Sequence, residues 1–221
     1  MSEESTGFLY PMIDGDDAGD LDTLLEDLAT SATSKSRTSA ELTSTTLGAL
    51  DQQLDLVARE MADRFARGGR LFTCGNGGSA TDAEGVAALF AVPPAGGQPL
   101  AARSLVADVS ILTALSNDIG FEVVFSRQLI AHAREPDIVM GFSTSGNSAN
   151  LIAAFEHAAG AGLLTVGIAG YEGGAMAASD AVTHCLVVRS DSVHRIQEAQ
   201  SALAHELWHR VQRHLPDPAL A

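Results

Sequence analysis

Short apolar segments alternate with longer amphipathic segments along most of this chain of 221 residues. The short segments have the length and composition of buried strands, and the longer ones carry apolar residues at helical spacing. Such alternation is typical of a parallel sheet with helices on both faces. We therefore predict an α/β fold with five strands, at 70–74, 100–104, 137–143, 163–169 and 183–188. The predicted helices lie at about 79–91, 108–116, 120–133, 147–160, 173–179 and 192–214.

The N-terminal part of the chain does not share this alternation. Residues 1–20 are acidic and rich in turn residues, which predicts a flexible leader. Residues 21–67 are predicted to be a helical segment used in oligomerisation, with a clear amphipathic helix at 40–67. The Ser/Thr-rich stretch at 30–39 is either a loop or part of a longer helix. The remaining residues, 68–215, are long enough for one α/β domain with a full core.

Composition excludes several classes of protein. The formal net charge is −15, and nonspecific binding to DNA or RNA requires basic surfaces, so we expect no nucleic-acid partner. No apolar run approaches the ~20 residues of a membrane span, so we expect no membrane association. The N-terminus lacks the basic flank and apolar core of a signal peptide, which indicates a cytoplasmic protein. The two cysteines, Cys74 and Cys185, fall inside predicted strands, where neither a disulfide nor a metal cluster is expected.

A loop rich in hydroxyl side chains follows the third predicted strand and precedes an amphipathic helix. Free backbone N–H groups and the positive end of the helix dipole gather at such a junction, which suits a phosphate monoester. The alternative is a Ser-rich turn that only caps the helix through Asn147 or Ser148. The hydroxyl side chains are those of Ser143, Thr144, Ser145 and Ser148.

A second loop of the same kind, Gly75-Asn76-Gly77-Gly78-Ser79, follows the first predicted strand. Its glycines allow close approach of the backbone to a ligand, and Ser79 is predicted to cap the next helix. The loop matches neither a dinucleotide fingerprint nor a P-loop, since the glycine spacing differs and no lysine follows. Two such loops therefore predict a small phosphorylated ligand held from two sides.

Four motifs, taken in order along the chain, resemble the sugar isomerase (SIS) domain family, and within it the phosphoheptose isomerases. These enzymes convert sedoheptulose 7-phosphate to D-glycero-D-manno-heptose 7-phosphate. The resemblance covers roughly residues 40–213. It implies a flavodoxin-like three-layer sandwich and a homotetramer whose active sites form between subunits. The motifs are Gly75-Asn76-Gly77-Gly78-Ser79, Ser116-Asn117-Asp118 with Phe121, Ser143-Thr144-Ser145-Gly146-Asn147-Ser148 and Arg195-Ile196-Gln197-Glu198.

The resemblance also implies roles for individual residues. Gln197 would contact the substrate and, with His205, a catalytic metal, usually zinc; the two are eight residues apart, so they share a helix face. His205 could instead act as a general acid or base, because imidazole titrates near neutrality. The phosphate is assigned to Ser143, Thr144, Ser145 and Ser148. The sugar is assigned to Asn76, Gly77, Ser79 and Asp118.

The helix after the loop at 75–79 departs from the family pattern. Phosphoheptose isomerases carry a histidine there and a glutamate one turn later, whereas this chain has Gly85 at the first position and Ala88 and Leu89 at the second. Glu84 is the nearest carboxylate, but it points about 100° away from Gly85 around the helix. A zinc site is doubtful, since Gln197 and His205 fall short of three protein ligands. His194, just before the last motif, could restore one ligand or one base.

Three functions remain open. The first is isomerisation of a phosphorylated ketose of about seven carbons, with His205 as the acid/base group, alone or together with Glu84 or His194, and with a use of metal that differs from the family. The second is phosphosugar binding without catalysis, as a sensor or assembly protein. The third, a purely structural oligomer, is disfavoured because it would not require the hydroxyl-rich loop.

Overall fold

The computed structural model of the chain describes residues 21–216, so the predicted acidic leader at 1–20 lies outside the described residues. Five parallel strands form one sheet with the order β2-β1-β3-β4-β5. This is the flavodoxin-like order, and it confirms the predicted fold class. The strands are β1 Leu71–Gly75, β2 Ala102–Ser104, β3 Ile138–Ser143, β4 Leu164–Gly170 and β5 His184–Val188.

The helices follow the predicted positions closely, with ends that differ by one or two residues. The helix predicted at 120–133 is divided into a 3-10 turn, Phe121–Val123, and a shorter α-helix. Gly120, with φ +144°, precedes the turn and directs the chain away from helical geometry. The helices are α1 Leu21–Ala49, α2 Asp51–Ala66, α3 Gly78–Ala91, α4 Val109–Asp118, α5 Val124–His132, α6 Ala149–Gly160, α7 Gly174–Ala178 and α8 Val193–His214.

The N-terminal helical segment confirms one of two predicted alternatives and differs from its prediction at one position. The Ser/Thr-rich stretch at 30–39 belongs to α1, so the longer-helix alternative is right. The helix predicted at 40–67 is interrupted at Leu50, which has φ −99° and ψ 7°, and it comprises the end of α1 and all of α2. Contacts divide the chain into two units, Met1–Ala40 and Glu41–Ala221. No helix within residues 21–216 is long and apolar enough to cross a membrane.

Both faces of the sheet are covered, as the alternation predicts. One face carries the core formed with α2, α3 and α8, and the other carries the core formed with α5 and α6. The interior of β1, β3 and β4 is fully buried. Both cysteines are free thiols, and burial raises the pKa of Cys74 to about 12 and that of Cys185 to about 11, so neither is a nucleophile near neutral pH.

The sheet brings the two predicted ligand loops together. Strands β1 and β3 are neighbours, with Gly75 opposite Phe142 in the register. The chain leaves both strands at the same edge, about 5 Å apart. The strand order reverses between these strands, which is where open α/β sheets bind ligands.

Candidate functional site

The hydroxyl loop, residues 143–148, gathers three of its hydroxyl groups at one point. Ser143 Oγ lies 3.1 Å from Ser148 Oγ and 3.5 Å from Ser145 Oγ. The backbone N–H of Gly146 donates to Ser143 Oγ at 3.0 Å. The loop thus forms a compact cluster of neutral hydrogen-bonding groups at the end of β3.

The hydroxyl cluster lies at the start of α6, where the first N–H groups of a helix have no partner within the helix. Ser148 occupies the N-cap position of α6, yet its hydroxyl makes no capping hydrogen bond and faces Ser143 instead. A loop that only caps its helix would use that hydroxyl on the helix N–H groups. The geometry therefore fits the anion site better than the capping turn.

A third loop, which the sequence analysis did not single out, packs against the hydroxyl loop and donates hydrogen bonds to it. This support loop, residues 170–176, runs from the end of β4 into the first turn of α7. The N–H of Met176 donates to the carbonyl of Gly146 at 2.9 Å, and the N–H of Ala175 donates to Asn147 Oδ1 at 2.8 Å. Three glycines directly after a predicted strand were the signal that could have identified it.

The support loop approaches so closely that side chains are excluded at the contact. A Cβ at Gly146 would lie 2.0 Å from the carbonyl oxygen of Gly173, and one at Gly170 would lie 2.4 Å from that of Thr144. Gly146 also has φ +67°, a conformation that favours glycine. The hydroxyl loop is therefore held in one shape before any ligand arrives.

The glycine loop, residues 75–79, begins α3 differently from the prediction. Gly77, with φ +56°, occupies the N-cap, and α3 starts at Gly78. Ser79 therefore lies within the first turn, and it is buried. The prediction that Ser79 caps the helix is wrong, because the positive φ of Gly77 turns the chain into the helix two residues earlier.

A pair of amides joins the glycine loop to the start of α6. Asn76 Nδ2 donates to Asn150 Oδ1 at 2.9 Å, and Asn150 Nδ2 donates to Asn76 Oδ1 at 2.9 Å. Asn150 is only 2% exposed, whereas Asn76 is half-buried. The sequence analysis missed Asn150, because an asparagine in the first turn of a helix carries no pattern of its own.

The N-terminal part of α8 lies against the glycine loop. A Cβ at Gly78 would be only 2.2 Å from Nε2 of Gln197, so the amide fills the place of the absent side chain. The structure thus brings Gln197 to the same edge of the sheet as the glycine loop.

His205 lies farther along α8 and is exposed. Its Nδ1 is 3.0 Å from the carbonyl oxygen of Ser201. Since a carbonyl only accepts, Nδ1 carries the proton in the neutral ring, and the lone pair of Nε2 is left for another partner. This tautomer suits either a metal ligand or a general base.

For two further predicted residues, Asp118 and His194, the described structure gives no hydrogen bond to these loops. Asp118 is exposed at the end of α4, where its carboxylate accepts a hydrogen bond from Asn117 at 2.7 Å. His194 is exposed at the start of α8. A third histidine, His184, lies on β5 with its Nε2 2.9 Å from Glu60 Oε2, which joins β5 to α2.

One side of α3 faces α8, and the zinc ligands that the family resemblance implies would lie on this side. Gly78 contacts Gln197, and Asp82, Gly85 and Leu89 follow Gly78 on the same side at helical spacing. Gly85 has no side chain, with open space where its Cβ would be, and Leu89 is apolar. Glu84 is exposed on a different side of the helix.

The donors present are too few for a catalytic zinc site. Gln197 and His205 supply two ligands, whereas three protein ligands are typical. Within residues 21–216, no group of three or more His, Cys, Asp or Glu side chains could hold a metal ion. The residues of this chain therefore do not fit the zinc that the family resemblance implies.

Asp82 is the one carboxylate on this side of α3. It is half-buried, and burial raises its pKa above the ordinary value of 3.8. Its Oδ2 is buried and has no hydrogen-bond partner among the described residues. The charged carboxylate is thus poorly solvated in this protomer.

Comparison with known proteins identifies the class to which this fold and these loops belong. Residues 36–170 match the family described as SIS domain. The chain therefore belongs to the SIS domain family.

Its relatives within that family are phosphoheptose isomerases. The phosphoheptose isomerase of Roseiflexus sp. (strain RS-1) is 46% identical over 160 residues, which are 72% of this chain and 80% of that protein. The structure of the phosphoheptose isomerase from Neisseria gonorrhoeae matches 84% of this chain and 99% of its own, with a TM-score of 0.75 and 34% identity. The one from Francisella tularensis matches with a TM-score of 0.77 and 29% identity, over 84% of this chain and 98% of its own. The chain is an SIS-domain protein that resembles phosphoheptose isomerases.

Proposed function

We propose that this protein binds a sugar phosphate of the heptose phosphate class at the hydroxyl loop and does not isomerise it by a zinc-dependent route. The observation that carries the proposal is the convergence of Ser143, Ser145 and Ser148 at the start of α6, with separations of 3.1 and 3.5 Å from the central hydroxyl. The name shared by the relatives supports the choice of a heptose phosphate.

Neutral groups do the binding in this proposal. The hydroxyl loop contains no lysine or arginine, so the phosphate charge meets hydroxyl O–H groups, backbone N–H groups and the helix dipole. Each hydroxyl can donate one hydrogen bond to a phosphate oxygen once its present neighbour is displaced. The support loop fixes these donors in advance, which lowers the cost of ordering them on binding.

Isomerisation makes a further demand that this chain meets poorly. Moving a proton between neighbouring carbons requires a base within hydrogen-bond reach of the reacting atoms, and losing that base costs roughly 10² to 10⁴ in rate. Gly85, Ala88 and Leu89 can neither bind a metal nor accept a proton. Binding without turnover fits a sensor or an assembly protein.

Isomerisation by other groups is the second candidate. The lone pair left on Nε2 of His205 and the 46% identity to a phosphoheptose isomerase favour it. In that case His205 is the acid/base group, with Glu84 as its candidate partner. Glu84 would need a different orientation of α3, since it lies away from the side that meets Gln197.

We further propose that the protein is a cytoplasmic homotetramer with sites between subunits. The exposed apolar residues Ile119 and Phe121, 53% and 56% exposed, support a subunit contact close to Asp118. A partner at this surface would bring Asp118 toward a neighbouring cleft. Light scattering is expected to give the mass of four chains, and a monomeric mass would contradict this assembly.

Calorimetric titration with sedoheptulose 7-phosphate tests the binding site. The double variant Ser143→Ala and Ser148→Ala should bind more than about 100-fold more weakly than the wild type, because each hydrogen bond to a charged group contributes about 1.5–3 kcal/mol. Ser179→Ala is the matched control: its hydroxyl accepts from the Ala181 N–H beyond α7, at the other end of the sheet. Equal affinity of the double variant and the wild type would contradict the proposal.

A further inference from the structure

The amide pair between Asn76 and Asn150 is the only side-chain bridge that the described structure places between the glycine loop and the segment after the hydroxyl loop. Asn150 has both of its amide atoms in the pair and almost no exposed surface. Two hydrogen bonds of 2.9 Å fix which way the Asn76 amide faces. A buried amide used in this way sets the geometry of its partner.

Asn76 keeps groups that the pair does not use. Each asparagine amide has two N–H donors and two acceptor lone pairs, and the pair uses one of each. Asn76 is half-buried rather than buried, so part of its surface remains accessible at this edge of the sheet. It follows Gly75, which lies opposite Phe142, so Asn76 sits beside Ser143 on the neighbouring strand end.

We infer that Asn150 is a positioning residue, which holds the unused N–H and carbonyl of Asn76 toward the hydroxyl-bearing carbon chain of a sugar phosphate. This inference rests on the proposed function. In this proposal the hydroxyl loop holds the phosphate. Asn76 directly follows β1 at the same edge of the sheet, so we expect it to meet the carbon chain esterified to that phosphate. A polyol chain offers hydroxyl groups that can both donate to the carbonyl and accept from the N–H, which is what an amide edge recognises.

Loss of Asn150 should weaken the binding of the sugar part of the ligand and leave the binding of the phosphate unchanged. Without its partner, the Asn76 amide can rotate, and its hydrogen bonds to the ligand must then be formed against a loss of side-chain entropy. Among the described residues, the side-chain hydrogen bonds of Asn150 go to Asn76 and not to the serine hydroxyls or the support loop, so we expect phosphate binding to stay intact. Inorganic phosphate and sedoheptulose 7-phosphate therefore separate the two effects.

The test is a set of calorimetric titrations with these two anions on the wild type, Asn76→Ala, Asn150→Ala and the double variant. We expect each single variant to bind sedoheptulose 7-phosphate about tenfold more weakly. We expect the double variant to be within about twofold of Asn76→Ala, because residues that act through one another are not additive. The affinity for inorganic phosphate should change by less than about twofold in all of them.

Gln128→Ala controls for the loss of a buried amide. Gln128 is 3% exposed and donates to the carbonyls of Leu105 and Val124, so its removal should affect stability without affecting affinity for either anion. Asn150→Ser serves if Asn150→Ala does not fold, with the same expected pattern, since serine is too short to reach Asn76. Equal loss of affinity for both anions in the Asn150 variant, or additive losses, would overturn the inference alone. A wild type that binds neither anion would overturn the proposed function together with it.

Discussion

Gly85 and Leu89 separate the ability to hold a sugar phosphate from the ability to bind zinc. Both lie on the side of α3 that meets Gln197, and neither offers a donor atom. The hydroxyl loop, which belongs to another strand, is unaffected by them. Phosphate binding and the two missing metal donors thus concern different residues and can be tested separately.

Restoring two donors should restore a metal site. We expect Gly85→His combined with Leu89→Glu to bind one zinc ion per chain, because the open space at Gly85 admits a side chain and Gln197 and His205 complete four ligands. Zinc content after dialysis is the measurement. Glu84→His combined with Ala88→Glu places the same pair one residue earlier, on another side of α3, and should bind none. Stoichiometric zinc in the wild type would show that the two donors already present suffice.

Burial of Asp82 should make stability depend on pH. The pKa of Asp82 is raised in the folded state. Its contribution to the free energy of unfolding is therefore fully present below the unfolded pKa and is lost as the pH rises through the folded pKa. Asp82→Asn should therefore gain stability relative to the wild type as the pH rises from below the unfolded pKa of Asp82 through its raised folded pKa. Urea unfolding across this range measures the difference, with Asp180→Asn at an exposed position as the control. A difference that stays constant with pH would contradict the assignment.

At the scale of elements, the local sequence predicts where the loops lie but not the contacts that fix their conformation. The strand ends and helix starts at residues 75–79 and 143–148 are local patterns of glycine and hydroxyl residues, and both were predicted. The support loop and Asn150 act through contacts between segments far apart in the chain, such as Ala175 with Asn147. Such contacts depend on the strand order, which a local pattern does not contain. Ser79 was misplaced as a cap for a related reason, since the φ of Gly77 decides where α3 begins.

The contact between the hydroxyl loop and the support loop should be sensitive to a single methyl group. Gly146→Ala places a Cβ 2.0 Å from the Gly173 carbonyl in a conformation that already disfavours side chains. We expect it to lower the free energy of unfolding by more than about 2 kcal/mol and to weaken phosphate binding. Gly160→Ala, with open space at the end of α6, should instead be neutral or stabilising by up to about 1 kcal/mol. Similar unfolding free energies for both variants would show that the loops can separate at little cost.

At the scale of the whole molecule, the fold follows from the alternation of strands and helices. Five apolar segments gave five parallel strands, because each is buried on both faces and needs helices above and below. The N-terminal segment was harder to predict, since the Ser/Thr-rich part of α1 carries no apolar stripe and its helicity depends on more than local propensity. The number of subunits remains a prediction, because it depends on surfaces that meet only in the assembly.

In the proposed function, the whole protein binds a heptose phosphate without removing the carbon-bound proton at C1. The most direct measurement is the proton NMR spectrum of sedoheptulose 7-phosphate incubated with the wild-type protein in D₂O, with and without added zinc. We predict that the ligand signals show saturation transfer from the protein, which reports binding, while the C1 proton signal keeps its full intensity. Loss of the C1 signal through exchange with deuterium would contradict the account and establish the isomerase.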